Sequence, residues 1–193
     1  NTTVSVWENT SPIIAETKED NTKIRTGTED ARMKTLKKGI KLHLIGKESG
    51  YYRFKMGPFN EGYVSIEDVK ILPTGTPEPF TEIRHIEAKK IGKHTFISIP
   101  VTTKIPYLVN QSVDQSILSL YLYGAKADTD TILYDSNDTY IKQLKWSQPY
   151  KNVYKLDALI PSKKQWGYDI EYVGSKQNGT LKLVFRIKHP PFI

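Results

Sequence analysis

The sequence predicts an all-β chain in two parts, a small barrel-like module followed by a β-sandwich. Three observations carry that expectation. Short runs of alternating apolar and polar residues recur along the chain, bounded by Gly, Asn, Asp and Pro, and a period of two is the mark of half-buried strands. No sustained helical period appears in the second part, and the 12 tyrosines favour extended structure. One segment, Pro73-Thr74-Gly75-Thr76-Pro77-Glu78-Pro79, interrupts the pattern, because a sheet interior does not tolerate three prolines so close together. The expected organisation is therefore a first domain over 1–73, a proline-rich linker over 74–79 that acts as a semi-stiff spacer, and a second domain over 80–193.

In the first part, residues 1–22 are polar and turn-rich, with Val4, Val6 and Trp7 suited to a short opening strand. Thr26 to Ala31 reads as a loop. Ile40, Leu42 and Leu44 alternate with Lys41, His43 and Ile45, as a strand with one dry face requires. Tyr52, Phe54 and Met56 alternate with Tyr51, Arg53 and Lys55, so Tyr52 is expected inside and Tyr51 outside. Gly57 to Gly62 connects a hairpin. Tyr63-Val64-Ser65 and Val69 to Leu72 complete the set, and Ile66-Glu67-Asp68 suits a single tight helical turn.

In the second part, strands are expected near Thr81–Ile86, Thr95–Val101, Ile117–Tyr123, Thr131–Tyr134, Ile141–Trp146, Val153–Leu156, Tyr168–Val173 and Thr180–Lys188. The last is the clearest. Leu181, Leu183, Phe185 and Ile187 share one face, and Lys182, Arg186 and Lys188 the other. Asp128-Thr129-Asp130, Asp135-Ser136-Asn137-Asp138 and Gln177-Asn178-Gly179 are expected turns. Short strands at this spacing argue for a sandwich.

Composition excludes several classes. With no cysteine there is neither a disulfide nor a thiolate metal site. No apolar run approaches the length of about 20 residues that spans a bilayer, so no transmembrane segment is expected. Asn1 opens into polar sequence, consistent with a leader removed upstream. The net charge is +7, with 12 Lys/Arg against 10 Asp/Glu in 1–73 and 16 against 11 in 74–193. Such a balance suits a polyanionic partner, but the lysines form no dense cluster with interleaved aromatics, so nucleic acid is not an expected partner.

Candidate chemistry is sparse. His43, His85, His94 and His189 are the only histidines. His85-Ile86-Glu87 with His94 can put a His and a Glu on one strand face, yet nothing supplies a third ligand and a base, and no metal is expected in this chain. No Gly-x-Ser-x-Gly elbow occurs. Asp128/Asp130 and Asp135/Asp138 suit either a calcium loop or plain Asx turns. Asp169 and Glu171, beside Trp166, suit either an acid pair or the wet face of a strand. The chain is accordingly not expected to be an enzyme, and no catalytic residue is assigned. Exposed aromatics are the better candidates, since sugar rings stack on their flat apolar faces. In the second part Tyr121, Tyr123, Trp146, Tyr168 and Tyr172 either line an open sheet face or pack between sheets.

Two sets of motifs carry a family resemblance. Lys23-Ile24-Arg25-Thr26-Gly27, Leu36-Lys37-Lys38-Gly39-Ile40, Gly50-Tyr51-Tyr52-Arg53-Phe54 and Gly62-Tyr63-Val64-Ser65 resemble a bacterial SH3 domain, which makes the first module an SH3-like barrel. Leu118 to Ala125, Ile141 to Trp146, Trp166-Gly167-Tyr168 and Leu181 to Pro191 resemble the non-catalytic region of bacterial N-acetylmuramoyl-L-alanine amidases, similar to the AMIN domain. The resemblance implies an extracytoplasmic, bacterial, non-catalytic region that binds peptidoglycan or an associated wall polymer. It implies Tyr51, Phe59 and Tyr63 as ligand-binding residues. It also implies a C-terminal catalytic domain beyond Ile193, which would hold the zinc. The alternative is a protein-interaction or regulatory module of an exported bacterial protein.

Overall fold

The structure, a computed structural model, describes residues 4–6, 11–26, 33–112, 116–134, 140–160 and 167–189, with only the backbone described at 4–6 and 134. The chain is all-β: apart from one 3₁₀ turn at Ile66–Asp68, every regular element described is a strand.

The first sheet draws on residues 4–71. Its strands are β1 (Val4–Val6), β2 (Ile13–Thr17), β3 (Thr22–Thr26), β4 (Met33–Leu36), β5 (Lys41–Glu48), β6 (Tyr51–Met56), β7 (Asn60–Ser65) and β8 (Val69–Ile71). They run β4-β3-β7-β6-β5-β2-β8, with β1 added on β5. Among the described residues no pairing joins β4 to β8, so this module is a continuous open sheet and not a closed barrel. The β4 side meets the second part instead: Lys34 Nζ donates to Val109 O at 3.2 Å, and Lys37 N–H donates to the Tyr107 hydroxyl at 3.0 Å. Alternation works as expected. Leu42, Leu44, Phe54, Met56 and Val64 are buried, while Lys41, His43 and Lys55 reach solvent. Tyr52 packs on the core and Tyr51 faces out. Between β5 and β6 the two-residue loop Ser49-Gly50 has φ of +46° and +82°, the pair of left-handed residues that a type I′ hairpin turn demands.

Two further sheets draw on residues 81–188. One contains β9 (Thr81–Ile91), β10 (His94–Pro100), β13 (Ala125–Tyr134), β16 (Gly167–Val173) and β17 (Lys182–Lys188), in the order β13-β9-β10-β17-β16. The other contains β11 (Tyr107–Gln111), β12 (Ile117–Tyr123), β14 (Gln143–Tyr150) and β15 (Val153–Leu159), in the order β11-β12-β15-β14. All pairs are antiparallel except β13 with β9. The apolar faces meet as a sandwich: Ile97, Ile99, Leu183, Phe185 and Ile187 from one sheet, Leu118, Leu120, Leu122, Tyr154 and Leu156 from the other. The Tyr154 hydroxyl bridges to Thr129 Oγ1 across 2.9 Å, which gives the buried phenol a polar partner.

Several elements depart from the sequence reading. Asp128-Thr129-Asp130 is not a turn but part of β13, where the register slips between Ala127 and Thr131. There Thr129 Oγ1 donates to Ile83 O at 2.7 Å, so a side chain satisfies a carbonyl beside the break in the ladder. Strands β2 and β11 were not expected. Each is only five residues long and adjoins polar or proline-bearing sequence that hides its alternation. Trp7, the loop core at Gly27–Ala31, Asp135–Asp138, Trp166 and Pro190–Ile193 lie outside the described residues.

Residues 74–79 are held by contacts to both parts. Glu78 Oε1 lies 2.9 Å from His43 Nδ1 on β5, and Pro79 is buried with its carbonyl against Gly124. Lys41 N–H donates to Lys104 O at 3.1 Å, and buried side chains from all three sheets form one core cluster.

Candidate functional site

The residues expected to bind ligand divide between two surfaces. On β6 and β7 the odd-numbered side chains point away from the core. Tyr51 lies opposite Ser65, and Arg53 lies opposite Tyr63, so Tyr51 and Tyr63 are diagonal neighbours on one outer face. Tyr51 is exposed and Tyr63 half-buried. Between them and the hairpin tip, Arg53 grips Glu61 through Nη2 at 2.7 and 2.9 Å and through Nε at 3.1 Å. That bond outweighs partial burial and holds the guanidinium above its ordinary pKa. Phe59 stands apart, at the tip of the β6–β7 hairpin, about 20 Å along the strand from Tyr51 at the usual rise per residue. It is 76% exposed, a large apolar area left in water.

Phe59 belongs to a groove that the tertiary structure builds. Its ring meets Tyr150, at the end of β14, edge to face at 5.1 Å and 77°. Pro58 and Pro149 flank this pair, and Tyr121, Tyr123 and Lys155 line the far wall. Tyr121 and Tyr123 project from the same face of β12 and lie nearly parallel, 6.5 Å apart. Lys155 Nζ, opposite Tyr121 in the ladder, sits 5.6 Å from its ring centroid, a cation–π distance. The groove encloses about 190 Å³. Through Pro58 and Tyr123 it joins a second recess of similar size whose polar lining includes His43, Lys55, Glu78 and Lys151.

Local sequence sets this geometry. Gly57 has φ of +70° and lies so close to Val153 that an added Cβ would overlap the valine side chain. Only glycine meets both conditions cheaply, so the hairpin tip can lie on β15 and bring Phe59 to Tyr150. On the other side, Lys151-Asn152 links β14 to β15, with Asn152 at φ +61°, the position where a turn of this kind accepts Asn or Gly. Gln148 fastens the turn: its Nε2 donates to Ala125 O at 3.0 Å and to Val153 O at 3.1 Å, and its Oε1 accepts from Ala127 N at 2.5 Å. Burial raises the Tyr123 hydroxyl well above its ordinary pKa. Open aromatic faces with polar rims suit a sugar ring or a peptide containing proline.

The other candidates are placed differently. Asp169 and Glu171 share the outer face of edge strand β16, and Asp169 is engaged by Lys37 at 3.3 Å and Arg186 at 3.7 Å. His85 and Glu87 are both exposed on β9, and among the described residues no three His, Asp or Glu side chains gather to hold a metal. Of the second-part aromatics, Trp146 stacks on Tyr154 at 6.0 Å and 10° on the core side. Tyr172 donates its hydroxyl to Ile105 O at 2.8 Å and accepts from Ile105 N–H at 3.0 Å, and burial raises its pKa. Tyr168 is exposed. Sequence reasoning missed Tyr150, both prolines and Lys155. The dipeptide Pro149-Tyr150 is a local signal, since proline is confined to strand edges and ends. No protein-family model, curated protein or solved structure matches this chain.

Proposed function

We propose that this chain is a non-catalytic module that binds bacterial peptidoglycan and so places a cell-wall amidase on its substrate. One observation carries the reading: the aromatic groove in which Phe59 packs edge to face on Tyr150, lined also by Pro58 and Pro149. Two exposed aromatic side chains, Phe59 and Tyr150, line this recess, and Tyr121 and Tyr123, which pack on the core, form its far wall. Flat rings with polar rims stack on the apolar faces of pyranose rings, and Lys55, Lys151 and Glu78 in the adjoining recess supply partners for peptide-stem carboxylates and amines. The amidase, its zinc and the extracytoplasmic setting follow from the motif resemblance. The test is co-sedimentation with purified sacculi stripped of phosphate polymers, at high salt. The wild type should pellet, and Phe59→Ala and Tyr150→Ala should remain in solution while keeping the wild-type circular dichroism spectrum. A wild type left in the supernatant, or variants that pellet fully, would overturn the reading.

A second reading, a protein-interaction module, is favoured by a different feature. Edge strands β4, β11 and β16 converge on a groove of about 330 Å³. The bonds Tyr123 N–H to Pro106 O and Ser112 N–H to Ile117 O set the parity of the β11–β12 ladder. The amides of Tyr107 and Val109 therefore point away from β12. An extended segment of an amidase domain can add there as a further strand. Mixing with that isolated domain should slow hydrogen exchange at the Val109 amide, and unchanged exchange would count against it.

A further inference from the structure

The outer face of the five-stranded sheet carries a basic patch that no stretch of the sequence displays. Antiparallel register sets Phe96 on β10 between Lys89 on β9 and Arg186 on β17. One row further, His94 lies opposite Lys188. Lys89, Arg186 and Lys188 are exposed, and Phe96 and His94 are half-buried with ring centroids 6.1 Å apart. Neighbouring strands lie about 4.8 Å apart and successive outward residues about 6.7 Å, so the three cations surround Phe96 within one small area.

The acidic neighbours leave this patch positive. Asp169 shares the Phe96 row, but one carboxylate serves both Arg186 and Lys37. Glu87 and Glu171 stand in the next row, separated by Ser98 and Val184. They border the patch on one side only. Among the described residues the cations thus outnumber the carboxylate beside them.

We propose that this face binds a linear polyol-phosphate polymer of the bacterial wall, with Lys89, Arg186 and Lys188 each taking a phosphate and Phe96 the polyol carbons between them. The choice of polymer rests on the wall-binding reading above. Charge complementarity carries the rest: a flexible chain with one phosphate per repeat can place successive charges on side chains this close. Nucleic acid fits less well, because base stacking asks for open ring faces and Phe96 is half-buried between two cationic neighbours.

The experiment titrates the full chain with purified poly(glycerol phosphate) free of peptidoglycan, at several salt concentrations. Three phosphate contacts should weaken affinity roughly twentyfold between about 50 and about 200 mM salt, if the polymer condenses counterions as single-stranded nucleic acid does. The triple variant K89Q/R186Q/K188Q should lose about tenfold or more at the low-salt end and flatten the salt slope. F96A should weaken binding and leave the slope unchanged, while K89R/K188R should bind as the wild type does. Retained melting temperature and retained binding to stripped sacculi show that the triple variant is folded. A triple variant equal to wild type, a wild type that ignores the polymer, or an oligothymidylate of equal charge that binds as tightly would each overturn the inference. Failure here with stripped sacculi still bound refutes the patch alone. The reverse refutes the Phe59 groove alone.

Discussion

At the residue scale, two glycines with left-handed backbone make a contrast. Gly50 has φ +82° with no neighbour within 4 Å of an added Cβ, whereas Gly57 has φ +70° and Val153 in the way. Gly50→Ala should cost only the backbone term of about 1–2 kcal/mol. Gly57→Ala should cost more, because the hairpin tip must also lift from β15. Urea denaturation compares the two directly, and equal losses would show that the Val153 contact is unimportant. Tyrosine burial makes a second prediction. Desolvation pushes Tyr107 and Tyr154 up to about 12, against the lowering bonds from Lys37 N–H and Thr129. In the unfolded chain a tyrosine ionises near 10. Below that pH both states keep the proton and stability is unaffected. Above it the unfolded state binds fewer protons, so stability falls as pH rises from about 10 to about 12. Tyr107→Phe should lower stability near neutrality by about 1 kcal/mol, through the lost acceptor for Lys37 N–H, yet flatten the alkaline decline seen in urea midpoints.

At the element scale, the β5–β6 turn is right in geometry but weak in its first residue. Ser49 adopts φ +46°, where asparagine is the preferred partner of a following glycine. Ser49→Asn should therefore raise stability by about 0.5 kcal/mol, measured by thermal melting. Strand β17 is the opposite case, since every local signal agrees with its burial. Leu183, Phe185 and Ile187 are essentially inaccessible, and Phe185→Ala should cost about 3–5 kcal/mol through the cavity it leaves. The same comparison shows which elements were legible. Long alternating runs such as β12 and β17 were readable because burial on one face repeats several times. Strand β11 was not, because Tyr107, Val109 and a proline just upstream carry too few repeats. Asp128-Thr129-Asp130 looks like a turn locally, and only its parallel partner β9 draws it into a strand.

At the scale of the whole molecule, the parts defined by the proline-rich segment share contacts that a loose tether would not have. Lys34 and Lys37 bond to β11, Lys41 to Lys104, Phe59 to Tyr150, and Gly57 packs on Val153. Scanning calorimetry should therefore record one cooperative transition, with calorimetric and van't Hoff enthalpies equal. Two resolved transitions would show that these contacts do not couple the parts. The candidate groove lies across that same junction, so its binding should be lost when 1–73 and 80–193 are made separately.

The all-β class, the outward side of Tyr51, the inward side of Tyr52 and the exposure of Phe59 were written in local alternation and in a glycine-proline turn, which act over a few residues whatever the rest of the chain does. Which aromatics meet was decided by tertiary structure alone. Phe59 and Tyr150 are separated by 91 positions, and Lys89, Phe96 and Arg186 become one patch only through strand register. Register and the docking of one part on the other depend on contacts distant in sequence, and such contacts leave no periodic trace in the residues that make them.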